Sequence, residues 1–156
     1  MKKLHKNEQG FSLIELLIVV AIILIIAAIA IPNLMRSKMA ANEASAVGSL
    51  RTINTSSVAY DTTYGQFPAS LANLGPVSGG GAPTSASADL IDAVLASTNK
   101  SGYIFTFAPG ASNTTYTIKA DPVSASTGQR HFYTDQSGVI RVNTSTAASS
   151  TDSPLS

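Results

Sequence analysis

Residues 11–31 (FSLIELLIVVAIILIIAAIAI) carry one Ser and one Glu among otherwise apolar side chains, and positions 16–31 form an unbroken run of 16 apolar residues. At about 1.5 Å rise per residue a helix of this length spans about 31 Å, the hydrocarbon thickness of a bilayer. It is apolar on every side, and the 93 residues after position 63 are too few to wrap it as a core helix. The pattern predicts a membrane segment. Beyond Pro32, Ala46, Leu50, Ile53, Tyr60 and Tyr64 recur at steps of three and four, with Ser57 filling the gap, which predicts an amphipathic helix packed on a sheet. Arg36, Lys38, Asn42, Glu43, Ser49, Thr52 and Thr55 are expected on its solvent side. Pro32 lacks an amide donor and disfavours helical geometry at Ile31; we expect a kink or a locally melted turn there, not a terminus. A helix over 11–63 would be roughly 80 Å long, far more than a globular domain needs, and so an assembly element.

From residue 65 the pattern changes. Tyr64-Gly65-Gln66-Phe67-Pro68 is turn chemistry, 70–74 can form one helical turn ending at Gly75, and Ser78-Gly79-Gly80-Gly81-Ala82-Pro83 is a flexible loop. Residues 88–97 read as a short helix with Leu90, Ile91, Val94 and Leu95 as its apolar face. Strands are expected at 103–107, 116–120, 130–134 and 139–143, with Asp135-Gln136-Ser137-Gly138 as a hairpin loop. Eight of the last fourteen residues are Ser or Thr, a mobile or surface-laid tail. The expected fold is α+β: a long N-terminal helix whose outer half packs on a four-stranded antiparallel sheet.

Charge and composition narrow the chemistry. Ten Lys and Arg against nine Asp and Glu leave no basic excess of the kind a nucleic-acid binder needs. With no cysteine there are no disulfides, thiolate nucleophiles or zinc knuckles. The two histidines, His5 and His131, are 126 positions apart. Asp121, Asp135 and Asp152 are candidate carboxylates, but no Ser–His–Asp arrangement stands out, and Gly79-Gly80-Gly81 lacks the Lys and helix start of a phosphate loop. His131 is expected on the exposed face of a strand. No catalysis and no cofactor is assigned.

The first ten residues, MKKLHKNEQG, set Lys2, Lys3 and Lys6 against Glu8, a positive segment retained on the cytoplasmic side. A secretory signal peptide cut near Ala27-Ala28-Ile29-Ala30 is the alternative, but the apolar run is long for it and holds Glu15. A carboxylate at the bilayer centre costs on the order of 3 kcal/mol.

Gly10-Phe11-Ser12-Leu13-Ile14-Glu15, the apolar block and Pro32 together resemble the prepilin signal of type IV pilins and of type II secretion pseudopilins. The resemblance implies that a membrane prepilin peptidase removes residues 1–10, cutting after Gly10, and methylates the new amino terminus at Phe11. It implies a domain plan of leader (1–10), long helix (11–63, with 11–31 as membrane span and filament core) and globular head (64–156). Pieces such as YGQFPASLANLG and TGQRHFYTDQSGVIR resemble a pilin head more loosely, and the two cysteines that close many such heads are missing. The dispersed aspartates do not supply the clustered oxygens of the calcium site found in many major pseudopilins.

Cleavage would leave an α-amino group four residues from Glu15. In a bundle of such helices, out of water, Glu15 needs a partner, and the amine of an adjacent subunit can supply one. We assign Gly10 and Phe11 to processing, and Glu15 and Pro32 to assembly. The implied partners are further copies of the chain, the prepilin peptidase, and an inner-membrane assembly platform driven by an ATPase. The implied location is the inner membrane before assembly and an extracellular pilus after it. The function expected is a subunit of a type IV pilus for adhesion, motility or uptake; the alternative is a major pseudopilin of a type II secretion system. An electron-conducting fibre finds no support in the 48 residues without an aromatic between Phe11 and Tyr60.

Overall fold

Helix α1 covers Leu13–Tyr64, and the chain divides into two compact units, one ending at Arg36 and the other running from Ser37 to Ser156. The computed structural model describes residues 10–155. In the first unit the side chains of α1 are exposed almost throughout, and an 18-residue window of mean hydropathy 3.3 has none of its residues buried. The helical assignment runs through Pro32 without a break, so the melted turn expected there is absent. Proline removes one amide from the ladder, and nearby the Asn33 side chain donates to the Ile29 carbonyl at 3.1 Å.

In the second unit, α1 buries Ala46, Leu50, Ile53, Ser57 and Tyr60 of the stripe read from the sequence and half-buries Tyr64; Val47 and Asn54, outside that stripe, are buried beside them. Four threonines on its exposed side, Thr52, Thr55, Thr62 and Thr63, return their hydroxyls to carbonyls one turn back. The helix stops at Gly65, whose φ of +74° is the left-handed geometry of a helix C-terminus and whose amide donates to Asp61.

A short helix α2 (Leu71–Leu74) buries Leu71 and Leu74. The expected helix over 88–97 shrinks to α3 (Ala93–Ala96). The amides of Ala88, Asp89 and Leu90 are drawn to the carbonyls of Asn73, Gly75 and Leu74, which keeps that stretch out of the helix. Asp92 then caps the helix through the Leu95 amide at 2.8 Å. Of the predicted apolar face Ile91 and Leu95 are buried, while Leu90 and Val94 are exposed.

The sheet has five antiparallel strands, not four, in the order β1 (Asn99–Lys100), β2 (Tyr103–Pro109), β3 (Tyr116–Pro122), β4 (His131–Asp135) and β5 (Arg141–Asn143). The extra strand, β1, has no hydrophobic alternation to betray it. It is held by pairing with Tyr103 and Ile104 and by an ion pair from Lys100 to Asp92. Register sets Phe105, Ala120, Phe132 and Val142 in one row and Phe107, Ile118 and Thr134 in the next. These rows join the buried stripe of α1 in one core. At the helix–sheet seam the Asn54 side chain donates to Thr134 Oγ1 and accepts from Tyr116 Oη, so these three buried side chains pair with one another, while the nearby buried Ser57 hydroxyl has no partner among the described residues.

Two expectations about exposure are corrected. Glu43 and Ser49, read as solvent-facing, are buried, and Asn42 is half-buried. Glu43 Oε1 accepts the amides of Gln129 and Arg130, Oε2 accepts Arg130 Nε at 2.7 Å, and the Asn42 amide group donates to Thr127 O. Burial alone would raise the Glu43 pKa, but these hydrogen bonds and the guanidinium outweigh it and hold the carboxyl below its ordinary value. The tail, expected to be mobile or surface-laid, is laid on the sheet edge. Val142 donates to Ser153 O, Leu155 donates to Ile140 O, and Ala148 is buried. Asp152 anchors it by accepting from the Ser149 amide and hydroxyl and from Asn143.

Candidate functional site at the start of the long helix

Residues 10–12 are non-helical and α1 begins at Leu13. Gly10 has open space around it, and the Phe11 ring is 88% exposed. The Gly10–Phe11 peptide bond therefore lies before the helix begins, with no described residue packed against Gly10. Ser12 sits at the N-cap of the helix. Its carbonyl accepts the Leu16 amide at 3.3 Å, and its own amide donates to Glu15 Oε2 at 2.9 Å. Ser12 and Glu15 are three apart, the spacing of a capping box in which the carboxylate reaches back to the N-cap amide. The S-x-x-E spacing of Ser12 and Glu15 is the sequence signal for this pairing. Glu15 is exposed, and among the described residues its hydrogen bonding is confined to Ser12. Pro32 stands seventeen positions further along the same helix, with exposed aliphatic side chains on both sides of it. Lys2, Lys3, His5, Lys6 and Glu8 lie outside the described residues.

The candidate catalytic groups of the second unit are dispersed. His131 is not on an open strand face: it is half-buried, and its Nδ1 lies 2.6 Å from Asp121 Oδ1 on the adjacent strand. Ser124 and Thr144 line the same shallow cleft of about 480 Å³ as His131. The Ser124 hydroxyl, however, pairs with Ser126, so no nucleophile is linked to the histidine. Asp135 accepts the Ser137 amide in the hairpin loop, and Asp152 is committed to the tail. Among the described residues no three of His, Asp and Glu stand together as metal ligands.

Comparison with known proteins finds a family match in the same N-terminal segment. The family described as the prokaryotic N-terminal methylation motif matches residues 5–31. The type IV wide pilus major component PilA4 of Thermus thermophilus is 58% identical over 38 residues, which cover 24% of this chain and 29% of that protein. The chain thus spans less than a third of the length of that relative. No solved structure matches it significantly. The chain is thus similar, over a short stretch, to the methylation motif and to a type IV pilus component.

Proposed function

We propose that the chain is the major subunit of a type IV pilus, stored in the inner membrane through the first part of α1 and polymerised through it into a surface filament. The observation that carries this reading is the apolar window of α1, with none of its residues buried, in a helix that starts inside the matched methylation motif. Each large aliphatic side chain kept from water is worth roughly 1.5–3 kcal/mol. Such a helix leaves lipid only if it enters another apolar environment at the same time. The core of a filament made of like helices provides one, so extraction by an ATPase-driven assembly platform and polymerisation become a single coupled step.

Processing between Gly10 and Phe11 removes three lysines and creates an α-amino group. Glu15 then acts as a register device: a subunit that fails to align its neighbour's amine with this carboxylate buries a bare charge. Pro32, with its missing amide, gives α1 a point that can yield as helices pack. Adhesion, motility and uptake are the roles open to such a filament, and a periplasmic pseudopilus is the other assembly the same helix could build.

The test is an intact mass of the chain recovered from mechanically sheared cell surfaces. Abundant protein beginning at Phe11 and carrying one methyl group supports a major pilin. The processed species confined to the membrane fraction points to the pseudopilus, and cleavage near Ala30 overturns the reading.

A further inference from the structure

We infer that Ser12 is a positioning residue for Glu15: its backbone amide holds Oε2 and so presets the carboxylate at the helix start, leaving Oε1 for a second donor. This rests on the filament reading above and deepens it. The observation is the 2.9 Å hydrogen bond from the Ser12 amide to Glu15 Oε2, with the Ser12 carbonyl accepting the Leu16 amide as the first turn closes. The N-cap amide has no partner within the helix, and a Glu at the third helical position is the side chain that can reach it. Among the described residues no hydrogen bond uses Oε1. A carboxylate has two oxygens and about four lone-pair sites, so one oxygen can serve the chain's own cap while the other accepts the amine of a second copy.

Two consequences follow for a helix start in an apolar setting. The carboxylate brings its charge to the positive end of the helix dipole, where an anion is stabilised. Its rotamer is already restricted before a neighbour arrives, so less side-chain freedom is lost on packing. The partner is therefore a second copy of this chain, met by a carboxylate held in place rather than one that has to be ordered on contact. The cap also defines Leu13 as the first helical residue, with positions 10–12 outside the helix.

The cap and the charge are separable because Gln at the third helical position can also reach the N-cap amide but cannot pair with an ammonium group as an ion. Wild-type chain, Glu15→Gln and Glu15→Ala are prepared in detergent micelles, both as full-length precursor and after processing. Water exchange of the Ser12 amide is measured by NMR, and filament yield is measured in cells. The Ser12 amide should be protected in wild type and Glu15→Gln. In Glu15→Ala it should exchange about fivefold faster, the ratio that corresponds to a cap of about 1 kcal/mol. Protection should survive processing, and filament yield should fall in both variants. Equal Ser12 exchange in wild type and Glu15→Ala, or loss of protection once the Phe11 amine is free, would overturn the inference. Normal filaments from Glu15→Gln would instead overturn the charge pairing of the proposed function while leaving the cap standing.

Discussion

Replacing Glu43 by Ala should unfasten the loop that closes one end of the sheet. The carboxylate accepts two backbone amides, from Gln129 and Arg130, and the Arg130 Nε, and it is 8% exposed. A hydrogen bond to a charged group contributes about 1.5–3 kcal/mol when buried, and an abandoned donor keeps its desolvation cost. The Arg130 side chain is 40% exposed, so the guanidinium recovers water and its share lies near the low end. Alanine also regains about 0.4 kcal/mol of helix propensity. The net loss is about 2–3 kcal/mol, which for a unit of about 120 residues lowers Tm by about 8–12 °C. The assay is thermal unfolding of the chain in detergent, followed by near-ultraviolet circular dichroism of the tyrosines. Glu43→Gln, which keeps one acceptor, should lose about half as much. Because the folded pKa of Glu43 lies below its ordinary value, its stabilisation is complete above the ordinary carboxylate range and vanishes as pH falls through the folded value. The gap between wild type and Glu43→Gln should therefore narrow on acidification. A Tm change under about 2 °C at pH 7, or a gap that stays constant into strong acid, would refute the reasoning.

Gly128→Ala should destabilise by about 1–3 kcal/mol because its Cβ would run into the Tyr103 ring. Gly48→Ala, in open space on α1, should stabilise by about 0.5–1 kcal/mol; comparable Tm values for the two variants would contradict both. Burial pushes the phenols of Tyr103 and Tyr116 up to about 12. Raised folded values mean that this stability is intact below about 10, where an unfolded tyrosine ionises, and is lost as pH climbs toward about 12. Absorbance titration should show these two tyrosines ionising late, together with unfolding; smooth titration of all five tyrosines near 10 would sink the claim. Gly10→Val should block processing without disturbing the fold, since nothing lies within 4 Å of that position. A gel showing mature-length protein would count against it.

The long helix, its apolar first part and the stripe of Ala46, Leu50, Ile53 and Tyr60 were legible because each is local periodicity, repeated over many residues and independent of what the helix meets. The core residues of β2, β3 and β4 were readable for the same reason, alternation along a short segment. Gly10, Phe11 and Glu15 fall within six contiguous residues of the matched methylation motif, a local signal of the same kind. What escaped was set by distant partners. Glu43 looked like one more polar residue on a solvent face until the amides of Gln129 and Arg130, 86 and 87 positions away, came to it. His131 lost its open face to Asp121. β1 exists through its pairing with β2 and the Lys100–Asp92 ion pair, and the helix expected over 88–97 gave way because carbonyls around α2 claimed its amides. The Ser/Thr-rich tail lies along β5 because Asp152 and the strand edge offer it bonds that its composition does not announce. Sequence determines hydrophobic period and contiguous motif, since these depend on neighbours three or four residues away. Tertiary structure alone decides which polar groups find partners, because a hydrogen bond requires the donor and the acceptor in one place, and only the folded chain brings them there.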